Sequence, residues 1–325
     1  MKTRGMMMLF PFILAACVLV TSGCSGKGKQ AKPGEGAREV KKYVIGFSQC
    51  TTTEPWRVLF NRRLAAEAAK HPDVELIVMD AQDNLETQVA QIESFISKEV
   101  DAILISPKVS SGFSKVMGSA KAKGIPFIVL DRDLEPADYT AFVGADNRLI
   151  GEAAGRYVVK LLGGDGAAKG KVYEIWGGKG SEPANDRHNG FHKIVGAETG
   201  IEVFGDQDCD WKQDLAKKQM ETILQLHQDI DVVYAHNDPM AYGAYLAAKE
   251  SGVADKIQFV GIDGNPDEGA VWVKEGKLAA TFLYPTPGEK GLETALEVLA
   301  GKEVPQKITL QTAVILPENA DDFMK

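Results

Sequence analysis

Histidine and cysteine are scarce, five and four in 325 residues. No pair of them falls at a zinc-ligand spacing such as C-x-x-C or H-E-x-x-H. The nearest approach is His188 and His192 at i, i+4, with no carboxylate or third ligand in motif with them, so spacing asks for no metal. Also missing are a G-x-S-x-G elbow, a P-loop and a G-x-G-x-x-G after the first apolar run. Residues 177–181 (Gly-Gly-Lys-Gly-Ser) lack G-K-[ST] at phosphate-loop spacing and read as a strand-to-helix turn. An excess of basic charge is absent as well. Lys and Arg number 37 against 45 Asp and Glu, and the pI is about 5.3, the reverse of a domain built to hold a phosphate backbone. Nucleic acid is therefore not an expected partner, and nothing calls for a cofactor. What remains is an ordinary globular balance, 44% apolar and 25% charged, in a chain with room for two domains.

The first residues differ in kind from the rest. Lys2 and Arg4 precede an uncharged apolar run over 6–20, and Thr21-Ser22-Gly23-Cys24 follows. This is the charged, apolar and small-residue order of a secretory signal. A cysteine directly after the small residues resembles a bacterial lipobox, which makes Cys24 the expected lipidated residue. Cys17 after Leu14-Ala15-Ala16 is a second candidate, and the run 6–23 is also about long enough for a transmembrane anchor. Cys24 is preferred because Val18-Leu19-Val20 continues the apolar run and polar residues begin only after it. Residues 25–41, rich in Gly, Lys and Glu without apolar periodicity, read as a flexible tether. The expected location is outside the cytoplasm, lipid-anchored to a membrane.

From Tyr43 onward short apolar runs alternate with amphipathic stretches. Strands are predicted over 43–48, 74–80, 102–107, 127–131 and 141–144, then over 171–176, 201–205, 232–235, 258–262 and 279–283. Between them apolar residues recur at helical spacing, as with Val89, Ile92, Phe95 and Ile96. Near-continuous Val/Ile/Leu strands indicate a parallel sheet covered on both faces. The predicted class is α/β, with two doubly wound parallel-sheet lobes. In such sheets ligands sit beyond the carboxyl ends of the strands. The strand-end residues are strongly polar, and for Asp80, Asp146 and Asp238 a capping or turn-making role is the simpler expectation.

At those strand ends the chain resembles the bacterial periplasmic sugar-binding proteins of the ribose-binding type, with the type I periplasmic-binding fold. The resemblance covers residues 43–317. It rests on Val129-Leu130-Asp131-Arg132, residues 185–191 (Asn-Asp-Arg-His-Asn-Gly-Phe), residues 234–241 (Tyr-Ala-His-Asn-Asp-Pro-Met-Ala) and residues 260–267 (Val-Gly-Ile-Asp-Gly-Asn-Pro-Asp) in that order. The opening Ile45-Gly46-Phe47-Ser48-Gln49 followed by Trp56-Arg57 is similar to the galactofuranose-binding branch. Repressors of the lac type share the fold but carry a helix-turn-helix where this chain has its export-like segment.

The resemblance implies a ligand site of Ser48, Gln49, Trp56, Arg57, Asp131, Arg132, Arg187, Asn237, Asp263 and Tyr284. The Asp131–Arg132 pair would share adjacent hydroxyls, and Trp56 would lie flat on the sugar ring. Some positions depart from the pattern. Glu54 and Arg57 stand where ribose binders have amide and phenyl groups, and Cys209 stands where an aromatic often follows a second-lobe strand, with Trp211 two positions on. The guest implied is a monosaccharide or polyol. The resemblance further implies a first lobe of 42–145 plus 285–308 and a second of 146–284 plus 309–325. The lobes would close over the ligand about crossings near 144–147, 284–287 and 309–312. A monomer that is no enzyme and delivers its sugar to an ABC permease, or presents it to a sensor receptor, is the expected function. Cys50 and Cys209, on cleft loops of opposite lobes, are expected to be unbridged.

Overall fold

The computed structural model describes residues 42–324. The signal-like segment 1–24 with Cys17 and Cys24, and the tether 25–41, lie outside the described residues. Within them the strands are β1 (Tyr43–Gln49), β2 (Val74–Asp80), β3 (Ala102–Ser106), β4 (Phe127–Leu130), β5 (Ala141–Ala145), β6 (Lys169–Ile175), β7 (Gly200–Phe204), β8 (Val232–Ala235), β9 (Gln258–Asp263), β10 (Ala280–Leu283), β11 (Lys307–Leu310) and β12 (Val314–Ile315). The helices are α1 (Pro55–Ala68), α2 (Leu85–Ser97), α3 (Ser114–Ala122), α4 (Asn147–Leu161), α5 (Glu182–Val195), α6 (Gln213–Leu226), α7 (Asp238–Glu250), α8 (Gly269–Lys274) and α9 (Gly288–Leu299).

Two six-stranded sheets result, ordered β2-β1-β3-β4-β5-β11 and β7-β6-β8-β9-β10-β12. All neighbours pair in parallel except β12, which runs antiparallel to β10 at the edge of the second sheet. Every residue of β3, β4 and β5 is buried, as expected of strands covered by helices on both faces. Strand order reverses between β1 and β3 in one sheet and between β6 and β8 in the other, the switch points at which such sheets leave a crevice.

The chain passes between the sheets three times, after β5, after β10 and between β11 and β12. β11 pairs with β5 through Leu310, so the first sheet continues two residues past the division expected at 308. Neither β11 nor β12 stands among the predicted strands.

Local capping fixes where helices begin. Asn84 Oδ1 accepts from Thr87 N at 2.7 Å to start α2. Asp146 Oδ1 accepts from Leu149 N at 3.0 Å to start α4, the capping role expected of it. For α7 the cap is Asn237, whose Oδ1 accepts from Met240 N at 3.0 Å, and not Asp238. Asp80 makes its turn by accepting from Gln82 N at 2.8 Å.

Candidate ligand-binding cleft

Side chains from the carboxyl ends of both sheets line one cavity. The first sheet and its loops contribute Trp56, Arg57, Asp131 and Arg132; the second contributes Arg187, Asn237 and Asp263; Tyr284 comes from the passage after β10. All eight are at least nine-tenths buried. The expected site thus converges, with two exceptions. Ser48 and Gln49 line no part of this cavity. They are fully buried at the end of β1, where Ser48 Oγ donates to Gln91 at 2.8 Å. The Gln49 amide donates to Asn61 and accepts from Arg57. Both side chains are spent on neighbours, so they support the site rather than face it.

The centre on the first-sheet side is Arg57. Its guanidinium reaches Asp131 Oδ2 at 2.9 Å, Ser106 Oγ at 2.9 Å, Gln49 Oε1 at 3.0 Å and Glu54 Oε2 at 3.1 Å. Burial by itself would raise the Asp131 carboxyl. Arg57, Arg132 and the Tyr284 hydroxyl outweigh it and hold the group below the usual carboxylate range. Arg132 is anchored by donating to the Lys108 carbonyl at 2.8 Å, while its Nε is buried without a hydrogen-bond partner. A buried, unspent donor of this kind is unusual in a folded protein and fits a group kept for a ligand.

Tyr284 ties the two halves together. Its hydroxyl donates to Asp131 Oδ1 at 2.6 Å and accepts from Asn147 at 3.4 Å. Its carbonyl accepts from Trp56 Nε1 at 2.8 Å, and the two rings stack at 5.0 Å. Arg187 lies 4.5 Å over the Tyr284 ring, bonds to Asn147 Oδ1 at 2.9 Å and donates to the His236 carbonyl. It also stands 4.0 Å from Asp263.

The geometry that aims these groups is costly. Asp131 and Asp263, each at a strand end, have φ of +73° and +139°, and Trp211 has φ of +63°. Left-handed backbone at non-glycine residues costs roughly 1–3 kcal/mol each and persists where surrounding structure imposes it. Trp211, two positions beyond Cys209, lines the cavity. Gly177 and Gly178 make room for it: a Cβ on them would stand 2.2 and 2.8 Å from the Trp211 ring. Glu54, Pro55, Pro183 and Pro239 also border the cavity, and only Glu54 carried a signal in sequence, as a charge in an unexpected place. Cys50 and Cys209 are buried free thiols.

Arg187 is placed by a close helix crossing. α4 and α5 pack so tightly that a Cβ on Gly190 would stand 2.1 Å from the Arg148 carbonyl oxygen. One on Gly151 would stand 2.3 Å from that of Arg187. Gly190→Ala is therefore expected to cost at least about 1–3 kcal/mol of stability, as overpacking against backbone does. Gly118→Ala on α3, where a Cβ meets nothing within 4 Å, should be neutral or slightly stabilising. Urea unfolding of the two variants compares them; equal midpoints would refute the account of the crossing.

With the cavity described, comparison with known proteins places the fold. A family profile described as a periplasmic binding protein domain matches residues 45–303. The chain belongs to that family. It is 35% identical over 300 residues to the ribose import binding protein of Bacillus subtilis, covering 91% of this chain and 95% of that one. It is 31% identical over 291 residues to the galactofuranose-binding protein of Escherichia coli, covering 87% and 90%. Among solved structures, the fructose-binding periplasmic domain of a hybrid two-component system superposes with a TM-score of 0.81 at 36% identity, covering 87% of this chain and 93% of that one. The fold class and family expected from sequence are those found.

Proposed function

We propose that this periplasmic binding protein captures a monosaccharide or related polyol between its two lobes and hands it to an ABC permease. The observation that carries the reading is the convergence of Asp131, Arg132, Arg187, Asn237 and Asp263, with two tryptophans, on one cavity between two sheets. Carboxylate, amide and guanidinium groups suit hydroxyls because each accepts or donates in fixed directions, and charge-assisted bonds are about twice as strong as neutral ones. Indole faces suit the C–H side of a sugar ring. The relatives' names, which specify ribose and galactofuranose, agree with this chemistry.

Closure derives its free energy from contacts made to both lobes at once, since a guest that touches both states equally shifts nothing. The lobes are taken as 42–145 plus 285–310 and 146–284 plus 311–325, hinged at the three crossings. We read the protein as a monomer without turnover: Asp131 is neutralised by Arg57 at 2.9 Å and is not free to move a proton. A lipid on Cys24 would hold it at the membrane surface. Among the described residues no helix is long and apolar enough to cross a membrane. The fructose-binding relative from a two-component system favours a second reading, presentation of the closed form to a sensor receptor.

A thermal-shift screen over pentoses, hexoses and polyols tests the central claim. A guest at 100 times its Kd should add about 2.7 kcal/mol to stability. Arg132→Ala and Asp263→Ala should each abolish that shift while the sugar-free variants stay folded. An undiminished shift in both would place the sugar elsewhere.

A further inference from the structure

A second cluster of functional groups lies outside the cavity, between β6 and α5. Glu174 on β6 is only 1% exposed, yet no lysine or arginine pairs with it among the described residues. Its ion-pair partners there are three histidines. His188 Nδ1 lies 3.0 and 3.1 Å from its two oxygens, His192 Nε2 lies 2.8 Å from Oε2, and His236 Nε2 lies 2.9 Å from Oε1. Four residues apart on α5, His188 and His192 share a helix face, and Glu174 sits opposite them. It precedes them by 14 and 18 residues, which is why no linear motif revealed a third ligand.

One atom each from Glu174, His188 and His192 falls within a group whose members all lie within 4.8 Å of one another. Zinc binds imidazole nitrogen and carboxylate oxygen at about 2.0–2.2 Å, so ligand atoms around a tetrahedral ion stand roughly 3.3–3.5 Å apart. The observed separations from Glu174, 2.8 to 3.1 Å, need to open by only a few tenths of an ångström. His188 and His192 are 29% and 37% exposed, which leaves an entry path from solvent. His236, fully buried, holds the other carboxylate oxygen and fixes its orientation, as partners of metal ligands commonly do.

We propose that Glu174, His188 and His192 form a binding site for one divalent transition-metal ion of the zinc class, with the remaining position taken by water. Nitrogen and carboxylate donors suit zinc, cobalt, nickel or copper rather than calcium or magnesium. The site stands whether or not the cavity takes a sugar, because none of its three residues lines that cavity.

Titration of the purified protein with Co²⁺, followed by visible absorption and isothermal calorimetry, tests the assignment. Saturation at one equivalent is expected, with an intense d–d band that Zn²⁺ abolishes by displacement. His192→Ala, which leaves Glu174 its contacts with His188 and His236, should weaken Co²⁺ binding by at least about 10–100-fold. His188→Ala/His192→Ala should remove it while circular dichroism remains unchanged. Absence of saturable Co²⁺ binding, or binding that survives in the double variant, would overturn the proposal.

Discussion

Arg57→Met is expected to lower the stability of the sugar-free protein by about 3–5 kcal/mol, the usual loss when one member of a buried ion pair is removed. The reason is the state in which it leaves Asp131. That carboxylate is 2% exposed and loses its 2.9 Å counter-charge, with only Arg132 Nε left at 3.8 Å. Ser106 and Gln49 lose their guanidinium donors at the same time. Asp131→Asn in the same background removes the orphaned charge, so the double variant should be more stable than the sum of the two single losses predicts. Guanidinium chloride unfolding of the four proteins measures the coupling. Strict additivity, or a loss below about 1 kcal/mol for Arg57→Met, would show that the network contributes little. Sugar-dependent stabilisation should fall in the single variant even where the protein is folded, because Asp131 Oδ2 loses its guanidinium donor and keeps only Ser106 Oγ, with Tyr284 still on Oδ1.

How far this network could be read beforehand depends on what each residue does. The apolar runs of β3, β4 and β5 are buried throughout, and continuous burial leaves a continuous pattern in sequence. β11 alternates between exposed and half-buried residues, and β12 has two residues, too few to show a period. Asp131, Asn237 and Asp263 were legible because a strand end is a place, and topology says what such places are for. Ser48 and Gln49 failed by the same reasoning: residues at a strand end can turn toward α1 and α2 as readily as toward the crevice, and sequence does not give the direction. Trp211 follows Asp210, and both have left-handed backbone, φ of +47° and +63°. No periodicity marks such a turn. Glu174 lay hidden for a simpler reason. Its position inside a strand, between buried neighbours, resembles any half-polar strand residue until α5 is folded over it.

The pH dependence of the sugar-free protein should run against the common pattern, with stability falling as pH rises from about 5 to about 8. Burial raises the Asp238 carboxyl from 3.8 to about 7, with Glu268 adding to the shift, even though Gly264 N donates to it at 2.7 Å. Asp263 is raised well above its ordinary value, by burial first and by Asp238 and Glu268 next, with Arg187 opposing. Glu182 is raised to about 8, again mainly by burial. A carboxyl raised in the folded state keeps a proton that the unfolded chain has already released. Between the two values the native state therefore binds more protons, and raising the pH favours unfolding. From Asp238 alone the loss between pH 5 and pH 8 is on the order of 2–3 kcal/mol. His236, whose imidazole burial pushes below its ordinary value against the pull of Glu174, acts in the opposite sense below about 6.5, but it is one group against these three. Asp131 has its carboxyl lowered, so its contribution disappears only as the medium becomes strongly acidic. Urea midpoints at pH 5 and pH 8 give the slope directly, and Asp238→Asn, which keeps an acceptor for Gly264 N, should flatten it. A midpoint that rises between those values, or a wild-type slope in the variant, would mean that Asp238 and Asp263 are already ionised in the folded protein, with Arg187 supplying more than its 4.0 Å separation from Asp263 implies.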